Sequence, residues 1–377
     1  MLVHALSSRD PLEVLDGISA ATSSGEPWAV IDPAWPPAQL RAARTQLQEA
    51  SATGHLRRGD LVTFTSGSTD KPRGVVRTVS SWDASVAPLT AITGLTPDDV
   101  VWLPGALSSS LFLYGAWHAV SVGAPVAPAG TDPVEATAVH CVPAQLARIL
   151  DDVKAGHAPR LRLAVVAGDR LTDGARAAAA SCGVRIVEYY GAAELSFVAY
   201  RDEDGPLRAF PGVEIEVRDG VLWARSQYLA RGYLDDSSGE AGRGGPLRRD
   251  QAGWASVGDL AEPVAGGWVV RGRGDAAVTT GGHTVVVEDV ERVLRSLPGM
   301  VDAGVVGLPD PRLGQVLVAV VVLGEPRDDA WLRAAVRDLP VPARPVRWLR
   351  ADALPRTPGG KLRRPELTAL ATRLAGR

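Results

Sequence analysis

The sequence predicts an α/β protein: a large N-terminal domain with mainly parallel sheets and a small antiparallel β subdomain, then a small, mobile α+β domain at the C-terminal end. Apolar runs alternate with a helical segment between residues 161 and 187, as in βαβ units with a parallel sheet. From about 205 to 271, short alternating runs are separated by Gly- and Asp-rich turns. A new helical pattern begins after Arg273. We therefore place the domains at 1–273 and 274–377.

The parallel part is predicted from three successive elements. Residues 161–167 are an apolar-rich run typical of a buried strand, 172–180 form an Ala-rich helix, and 184–187 form a second strand. The second strand delivers Tyr190 and Gly191 at its carboxyl end. Because ligands of open parallel sheets bind beyond this edge, we expect a binding site around these two residues.

The antiparallel subdomain is predicted from runs of period two. Residues 213–217 and 267–270 form short strands bounded by turn residues, as hairpins require. Residues 237–245 are rich in Gly, Ser and Arg and predict a loop.

The C-terminal domain is predicted from a helix with one apolar face. Val290, Val293, Leu294 and Leu297 recur at i, i+3, i+4 and i+7, the spacing of an amphipathic helix. Further elements are predicted to follow at 301–306 (strand), 316–323 (strand) and 331–339 (helix).

Composition and charge restrict the function. The 377 residues carry a net charge of −3, so no global basic surface predicts binding to nucleic acid or to an anionic membrane. No signal-peptide pattern and no apolar run of membrane-spanning length is present, which predicts a cytoplasmic protein. Cys141 and Cys182 lack the spacing of metal ligands and are predicted to be reduced thiols.

Residues 65–74 are the most distinctive segment of the chain. Hydroxyl residues, turn formers and cations follow directly after the apolar run 61–64. Because Gly and Pro interrupt regular structure, the segment is predicted to be a loop. Its hydroxyls, its backbone N–H groups, Lys71 and Arg73 would close around phosphate oxygens. A polar surface turn is the alternative that this segment alone leaves open.

The order of four later segments favours a phosphate-binding loop over a polar surface turn. After the loop at 65–74 the chain contains YGAAE (190–194), SVGD (256–259), GRGD (272–275) and LPRTPGGK (354–361). These segments resemble the motifs of the adenylate-forming superfamily, which includes acyl-CoA synthetases, nonribosomal-peptide adenylation domains and luciferases. The resemblance covers roughly residues 60–370, so the N-terminal region is shortened relative to most members.

The resemblance implies sites for ATP and Mg²⁺. Glu194 would hold Mg²⁺, Tyr190 would stack on adenine, and Asp259 would bind the ribose hydroxyls. Arg273 would contact the ribose or a phosphate, and it would be catalytic together with Glu194. The other ATP-binding positions that the resemblance implies are Thr65, Ser66, Gly67, Ser68, Thr69, Lys71, Arg73, Gly168, Asp169, Gly191 and Ala192.

The resemblance also implies two half-reactions. Lys361, the third predicted catalytic residue, would bridge the carboxylate oxygen and the α-phosphate during adenylation. The C-terminal domain would then rotate about a hinge at Asp275. Gly281 and Gly282 would line a tunnel for the thiol of CoA or of a phosphopantetheine arm.

The predicted acyl pocket is apolar and aromatic, which fits a hydrophobic or aromatic acid better than an amino acid. No acidic residue is clearly placed to bind a substrate ammonium group. The predicted lining residues are Trp102, Leu107, Leu111, Phe112, Leu195 and Phe197.

The main prediction is therefore an ATP-dependent, AMP-forming acyl-CoA synthetase, an acid–thiol ligase. Departures from the family pattern, such as Asp70 for Gly and Ala193 for Thr, leave alternatives open. These are transfer to a carrier protein in trans or to another nucleophile, an o-succinylbenzoate–CoA ligase-like enzyme, and a degenerate nucleotide-binding protein. The short N-terminal region would leave apolar surface uncovered, which predicts a homodimer.

Overall fold

The structure is a computed structural model, and it describes residues 2–8, 10–66, 72–169, 171–202, 204–235, 247–273, 277–280, 283–310, 312–357, 360 and 362–376. These residues form two compact units, one of Met1–Val257 and Pro263–Val269, the other of Gly258–Glu262 and Val270–Arg377. The predicted α/β class is confirmed. The domain boundary between 273 and 274 stays a prediction, because residues 274–276 lie outside the described part.

A five-stranded sheet in the first unit carries the stem of the predicted phosphate loop. In spatial order its strands are β1 (His4–Leu6), β2 (Trp28–Val30), β3 (Asp60–Ser66), β4 (Pro72–Thr78) and β14 (Gly232–Tyr233). The first three are mutually parallel, and β4 is antiparallel to both of its neighbours. The associated helices are α1 (Pro11–Ser24), α2 (Pro37–Ala52) and α3 (Val79–Thr93).

A seven-stranded sheet provides the carboxyl edge at which the site is expected. In spatial order its strands are β11 (Arg208–Ala209), β10 (Ser196–Arg201), β9 (Arg185–Ala192), β8 (Leu163–Val166), β7 (Ala138–Cys141), β5 (Val101–Trp102) and β6 (Val126–Ala127). The five strands from β6 to β9 are parallel, whereas β10 is antiparallel to β9 and to β11. Its helices are α4 (Ser110–Val122), α5 (Pro143–Lys154) and α6 (Asp173–Ser181).

The two faces of this sheet bury different side chains because successive residues of a strand point to opposite faces. Val139, Ala164 and Ile186 belong to a core that includes apolar residues of α5 and α6. His140 points to the other face, where a Cβ built on Gly115 of α4 would lie 2.8 Å from its ring. Glycine therefore permits the close approach of α4 to the sheet.

The antiparallel subdomain begins with the predicted strand at 213–217. Its antiparallel strands are, in pairing order, β12 (Glu214–Arg218), β13 (Val221–Arg225), β16 (Ala255–Ser256) and β15 (Arg248–Arg249). Two further strands, β17 (Asp259–Val264) and β18 (Gly267–Arg273), each contain residues of both units. The loop predicted at 237–245 lies outside the described residues.

The second unit has a sheet between two apolar cores. Its strands are, in spatial order, β20 (His283–Val286), β19 (Ala277–Thr280), β22 (Gly314–Leu323) and β21 (Met300–Asp310), with β23 (Arg347–Arg350) parallel to β22. Its helices are α7 (Val287–Arg295), α8 (Asp329–Ala335) and α9 (Arg364–Ala375). One core contains residues of α7 and α8, and the other contains Leu367 and Ala371 of α9.

The predicted helix over 331–339 is wrong at its C-terminal end, because α8 stops at Ala335. Pro340 follows closely, and a proline disfavours helical backbone in the residue before it. No helix among the described residues combines the length and apolarity that a bilayer span requires.

Candidate functional site

Both ends of the predicted phosphate loop are paired as antiparallel strands. Thr65 pairs with Arg73 and Ser66 pairs with Pro72, so the prediction that the whole of 65–74 is loop is wrong at both ends, where strand pairing continues. The predicted ATP-binding residues Gly67, Ser68, Thr69 and Lys71 and the side chain of Ser66 lie outside the described residues.

Glu194 occupies the turn between β9 and β10. Leu195 N–H donates to the carbonyl of Ala192 at 3.1 Å, and Ser196 follows with a left-handed φ of 59°. The close approach of β10 to β9 requires glycine at position 191, because a Cβ there would lie 2.0 Å from the carbonyl oxygen of Ser196. This tight hairpin places Glu194 just beyond the carboxyl end of β9. The predicted end of that strand at residue 187 is wrong, because β9 continues through Tyr190 and Gly191 to Ala192 in its pairing with β10.

The Glu194 carboxylate is buried and held by a phenol. Glu194 is only 3 % exposed, and the Tyr233 hydroxyl donates a hydrogen bond to its Oε1 at 2.8 Å. The same phenol accepts from the backbone N–H of Leu247 at 3.2 Å. Burial and the neighbouring carboxylate raise the pKa of Tyr233. Tyr233 therefore stays protonated and donates to Glu194.

Two arginines interact with this carboxylate–phenol pair, Arg73 through the Tyr233 ring and Arg77 through the charge of Glu194. Arg77 is 2 % exposed and donates from Nη2 to the Tyr228 carbonyl at 2.9 Å. Burial lowers the pKa of Arg77 to about 10, an effect that the negative charge of Glu194 opposes. The guanidinium of Arg73 lies over the Tyr233 ring, 5.6 Å from its centroid. A buried carboxylate with cations nearby is electrostatically compensated.

The described residues contain no group of three or more His, Cys, Asp or Glu that would hold a metal by itself. Glu194, a single carboxylate with one oxygen already bonded to Tyr233, fits a Mg²⁺ ion that takes most of its ligands from phosphates and water.

The predicted ATP-binding residues Gly168, Asp169 and Tyr190 are neighbours on the sheet edge. Val166 of β8 pairs with Glu188 of β9, so Gly168 and Tyr190 both lie two residues beyond paired positions. Gly168 has a φ of 96°, a conformation that glycine adopts without strain, and Asp169 follows it. The structure therefore brings Gly168, Asp169 and Tyr190 to one edge.

Glu188 is a buried acid beneath this edge that sequence reasoning missed. It accepts from Arg176 Nη2 at 2.6 Å and from Arg201 Nε at 2.7 Å, and the Leu171 N–H points to it at 3.4 Å. These contacts connect β9 with β10, with α6 and with the segment after Asp169.

Tyr233 and Arg77 were also missed. For Arg77 a signal existed, since an arginine within the apolar run of β4 predicts a buried charge with a specific partner.

The predicted acyl-pocket residues do not all lie together. Phe197 is surrounded by the rings of Tyr114, Tyr189 and Phe210, with centroids 4.7, 4.5 and 4.8 Å away. Leu107, Phe112 and Leu195 are buried, and Leu111 is half-buried near the start of α4.

Trp102 is separated from the Phe197 cluster by the sheet. It belongs to the core with Val139 and Ala164 and borders a cavity of about 410 Å³ with Pro133 and His157. The structure does not bring Trp102 together with Phe197, because their side chains lie on opposite faces.

Two buried histidines pack together, and one of them, His118, stacks on Tyr114. The rings of His118 and His140 are 6.3 Å apart. Burial lowers the pKa of His118 to about 4, and burial together with His118 lowers the pKa of His140 to about 3. Thr90 Oγ1 donates to the Val86 carbonyl at 2.9 Å, so it accepts from Nε2 of His118 at 2.9 Å. Both imidazoles are neutral at pH 7.

These histidines predict acid-sensitive stability. Their folded pKa values are below the unfolded value of about 6.5, so the contribution of the neutral rings is complete above that pH and is lost as the pH falls toward 4 and 3. Between pH 6.5 and 5 we expect the free energy of unfolding to fall by up to about 1.4 kcal/mol per pH unit for each ring. The slope of the free energy of unfolding against pH is measured by urea unfolding of the wild type, of His140→Gln and of His157→Gln. The exposed His157 is the control, and an unchanged slope in His140→Gln would contradict the assignment.

In the second unit, Asp259 is 8 % exposed and is the first residue of β17, and Arg273 is the last residue of β18. The side chain of Arg273 is outside the described part, as are Asp275, Gly281, Gly282 and Lys361. The roles of these residues stay predictions.

Comparisons with known proteins decide the family. Residues 9–234 match the family model of the AMP-binding enzymes, and residues 289–361 match the model of the AMP-binding enzyme C-terminal domain. The chain belongs to the AMP-binding enzyme family. The adenylate-forming resemblance is thereby confirmed.

This AMP-binding enzyme has similar relatives among curated proteins. It is 31 % identical over 379 residues to a probable 2-succinylbenzoate–CoA ligase of Mycobacterium tuberculosis (strain ATCC 25618 / H37Rv), covering 87 % of this chain and 90 % of that protein. It is 28 % identical over 333 residues to an uncharacterized acyl–CoA ligase of Bacillus subtilis (strain 168), covering 80 % of this chain. The chain spans only 66 % of the length of that second relative.

A solved structure supports the fold. The anthranilate–CoA ligase in complex with anthranoyl-AMP superposes with a TM-score of 0.81, covering 100 % of this chain and 88 % of that one at 19 % identity. This similarity is evidence for the fold alone.

Proposed function

We propose that the protein is an ATP-dependent acid–thiol ligase that activates a hydrophobic or aromatic carboxylic acid as an acyl-adenylate and transfers the acyl group to CoA. The observation that carries the proposal is the β9–β10 turn, where buried Glu194 accepts a hydrogen bond from Tyr233, with Arg73 over the Tyr233 ring and the charge of Glu194 acting on Arg77. The name of the Mycobacterium tuberculosis relative supports the acid class, because 2-succinylbenzoate is an aromatic carboxylate.

In the first half-reaction, a carboxylate oxygen of the acid forms a bond to the α-phosphorus of ATP. The bond from that phosphorus to the bridging oxygen of the β-phosphate breaks, and pyrophosphate leaves. Both reactants are anions, so this chain contributes mainly orientation and positive charge. Arg73, which pairs with Thr65 next to the predicted phosphate loop, supplies positive charge beside the leaving group. Lys361 neutralises charge at the α-phosphate. Mg²⁺, held by Glu194 and phosphate oxygens, would supply further charge neutralisation.

In the second half-reaction, the sulfur of CoA forms a bond to the acyl carbon. The bond from that carbon to the AMP oxygen breaks, and the thiol proton leaves to solvent. Because AMP is the leaving group, no further phosphate chemistry is required. A phosphopantetheine arm on a carrier protein has the same thiol. The assay with and without CoA distinguishes the two acyl acceptors.

The test is AMP release from ATP and Mg²⁺ over a panel of carboxylic acids, each with and without CoA. We expect AMP to form stoichiometrically with the acyl thioester of an aromatic or other hydrophobic acid. Bound acyl-adenylate that CoA does not discharge would indicate a carrier protein or another nucleophile. ATP binding without turnover of any acid would contradict the proposal and favour a degenerate nucleotide-binding protein. Light scattering on the same sample tests the predicted homodimer.

Removal of the Tyr233 hydroxyl is expected to weaken Mg²⁺–ATP binding. Tyr233→Phe leaves the ring in place but removes the donor to Glu194, so we expect the KM for Mg²⁺–ATP to rise about tenfold, the loss of one hydrogen bond to a charged group. Tyr228→Phe is a matched control, because this equally buried phenol donates to the Pro211 carbonyl at 2.7 Å. Both variants should lose stability. Equal KM values in the two would contradict the role of Tyr233.

A further inference from the structure

Arg356 holds the segment that carries Lys361 by a hydrogen bond from its guanidinium to the backbone of that segment. Arg356 Nε donates to Asp302 Oδ2 at 2.8 Å, and its Nη2 donates to Asp302 Oδ1 at 2.6 Å. Its Nη1 donates to the carbonyl of Gly360, the residue before Lys361. One guanidinium thus joins a carboxylate on β21 to the backbone next to the predicted catalytic lysine.

Backbone hydrogen bonds close the same segment. Gly360 N–H donates to the Thr357 carbonyl at 2.8 Å, and Arg363 N–H donates to the Pro355 carbonyl at 2.9 Å. Arg356 and Leu362 form an isolated antiparallel bridge. Gly360 has a φ of 79°, which a residue with a Cβ adopts only at a cost. The described ends of the segment therefore have one defined conformation.

A second arginine anchors the helix that follows. Arg364 Nη2 donates to Glu291 Oε2 at 3.0 Å and to Glu288 Oε1 at 2.9 Å. Glu291 is 1 % exposed and also accepts from the Val305 N–H at 2.8 Å. This network fixes α9 on α7 and β21. The Asp302–Arg356 pair differs in what it holds, because Arg356 contacts the lysine segment itself through the Gly360 carbonyl.

We propose that Asp302 is a positioning residue for acid activation. It holds Arg356 in the orientation that binds the Gly360 carbonyl, and it thereby fixes the backbone directly before Lys361. The inference rests on the proposed function, in which Lys361 acts on the α-phosphate.

Side-chain chemistry explains why an Asp–Arg pair suits this task. The five donors of a guanidinium lie in one plane, so two of its nitrogens bind a carboxylate while the third binds a carbonyl. A lysine has a flexible four-carbon stem, so a fixed backbone next to it narrows the volume that its ammonium group samples. Misplacement by about 1 Å can cost on the order of 100-fold in rate.

The decisive variant is Asp302→Asn, which keeps volume but loses the two-oxygen acceptor. We expect the rate of acyl-adenylate formation to fall about 10- to 100-fold, while CoA attack on supplied acyl-adenylate changes by less than about twofold. Asp302→Glu, which keeps a carboxylate, should recover part of the loss. Asp329→Asn is the matched control, since it removes an exposed pair with Arg350 at 2.8 Å in the same unit. It should leave both half-reactions at wild-type rates.

Amide hydrogen exchange gives a readout that needs no activity. In Asp302→Asn, exchange should rise for the peptide spanning 355–363 and stay at the wild-type level elsewhere in the second unit. Unchanged exchange in that peptide, or equal losses in both half-reactions, would overturn the inference. If the wild type forms no acyl-adenylate with any acid but the exchange of this peptide still rises in the variant, the proposed function fails and the anchoring by Asp302 stands.

Discussion

Lys361→Ala is expected to lower the rate of acyl-adenylate formation by at least about 100-fold, the size of effect seen when a preorganised charge at a developing anion is removed. CoA attack on supplied acyl-adenylate should continue at nearly the wild-type rate, because the α-phosphate is then no longer the centre of reaction. Quenched-flow detection of pyrophosphate for the first step, and of thioester for the second, separates the two.

The chain offers sharp controls for this experiment. Its three lysines are Lys71, Lys154 and Lys361. Lys154 ends α5 with its side chain 57 % exposed and forms only a 3.7 Å pair with Asp151, so Lys154→Ala should match the wild type. Lys361→Arg should restore little activity, since a planar guanidinium does not reproduce a compact ammonium. Equal loss of both half-reactions in Lys361→Ala would contradict the separation of roles.

Glu194→Gln should produce the second large effect. The amide keeps the size of the side chain and an oxygen that accepts from Tyr233, but it removes the negative charge that favours Mg²⁺ binding. We expect a loss of about 100-fold in kcat/KM for Mg²⁺–ATP and a rise in the Mg²⁺ concentration needed for half-maximal rate.

The same variant tests the local electrostatics. Glu194 opposes the lowering of the pKa of buried Arg77, so Glu194→Gln leaves Arg77 with less compensation and should destabilise the first unit. Urea unfolding of the variant and the wild type measures this loss. Glu135→Gln, at an exposed pair with Arg160, is the control. A Glu194→Gln protein with wild-type Mg²⁺ dependence would contradict the metal role.

The sequence predicted the sheet edge well because local patterns decide it. The strand that delivers Tyr190, the helix α6 and the turn at Gly168 follow from apolar runs and a glycine with positive φ. Glu194 was predicted as a site residue because residues 190–194 resemble a motif of the adenylate-forming superfamily.

Long-range partners were beyond the sequence. Tyr233 is 39 residues from Glu194, and no periodic pattern indicates that β14 lies beside β4 and brings the phenol to that carboxylate. Trp102 was misplaced for a related reason. Strand β5 has only two residues, too few for alternation to reveal which face each side chain occupies.

The most direct test of the central claim, that this site joins ATP to a carboxylate, is acid-dependent exchange of labelled pyrophosphate into ATP without any thiol. Wild-type protein should catalyse exchange with at least one hydrophobic or aromatic acid, and Glu194→Gln and Lys361→Ala should each lower it by about 100-fold. ATP binding without exchange for any acid would contradict the claim.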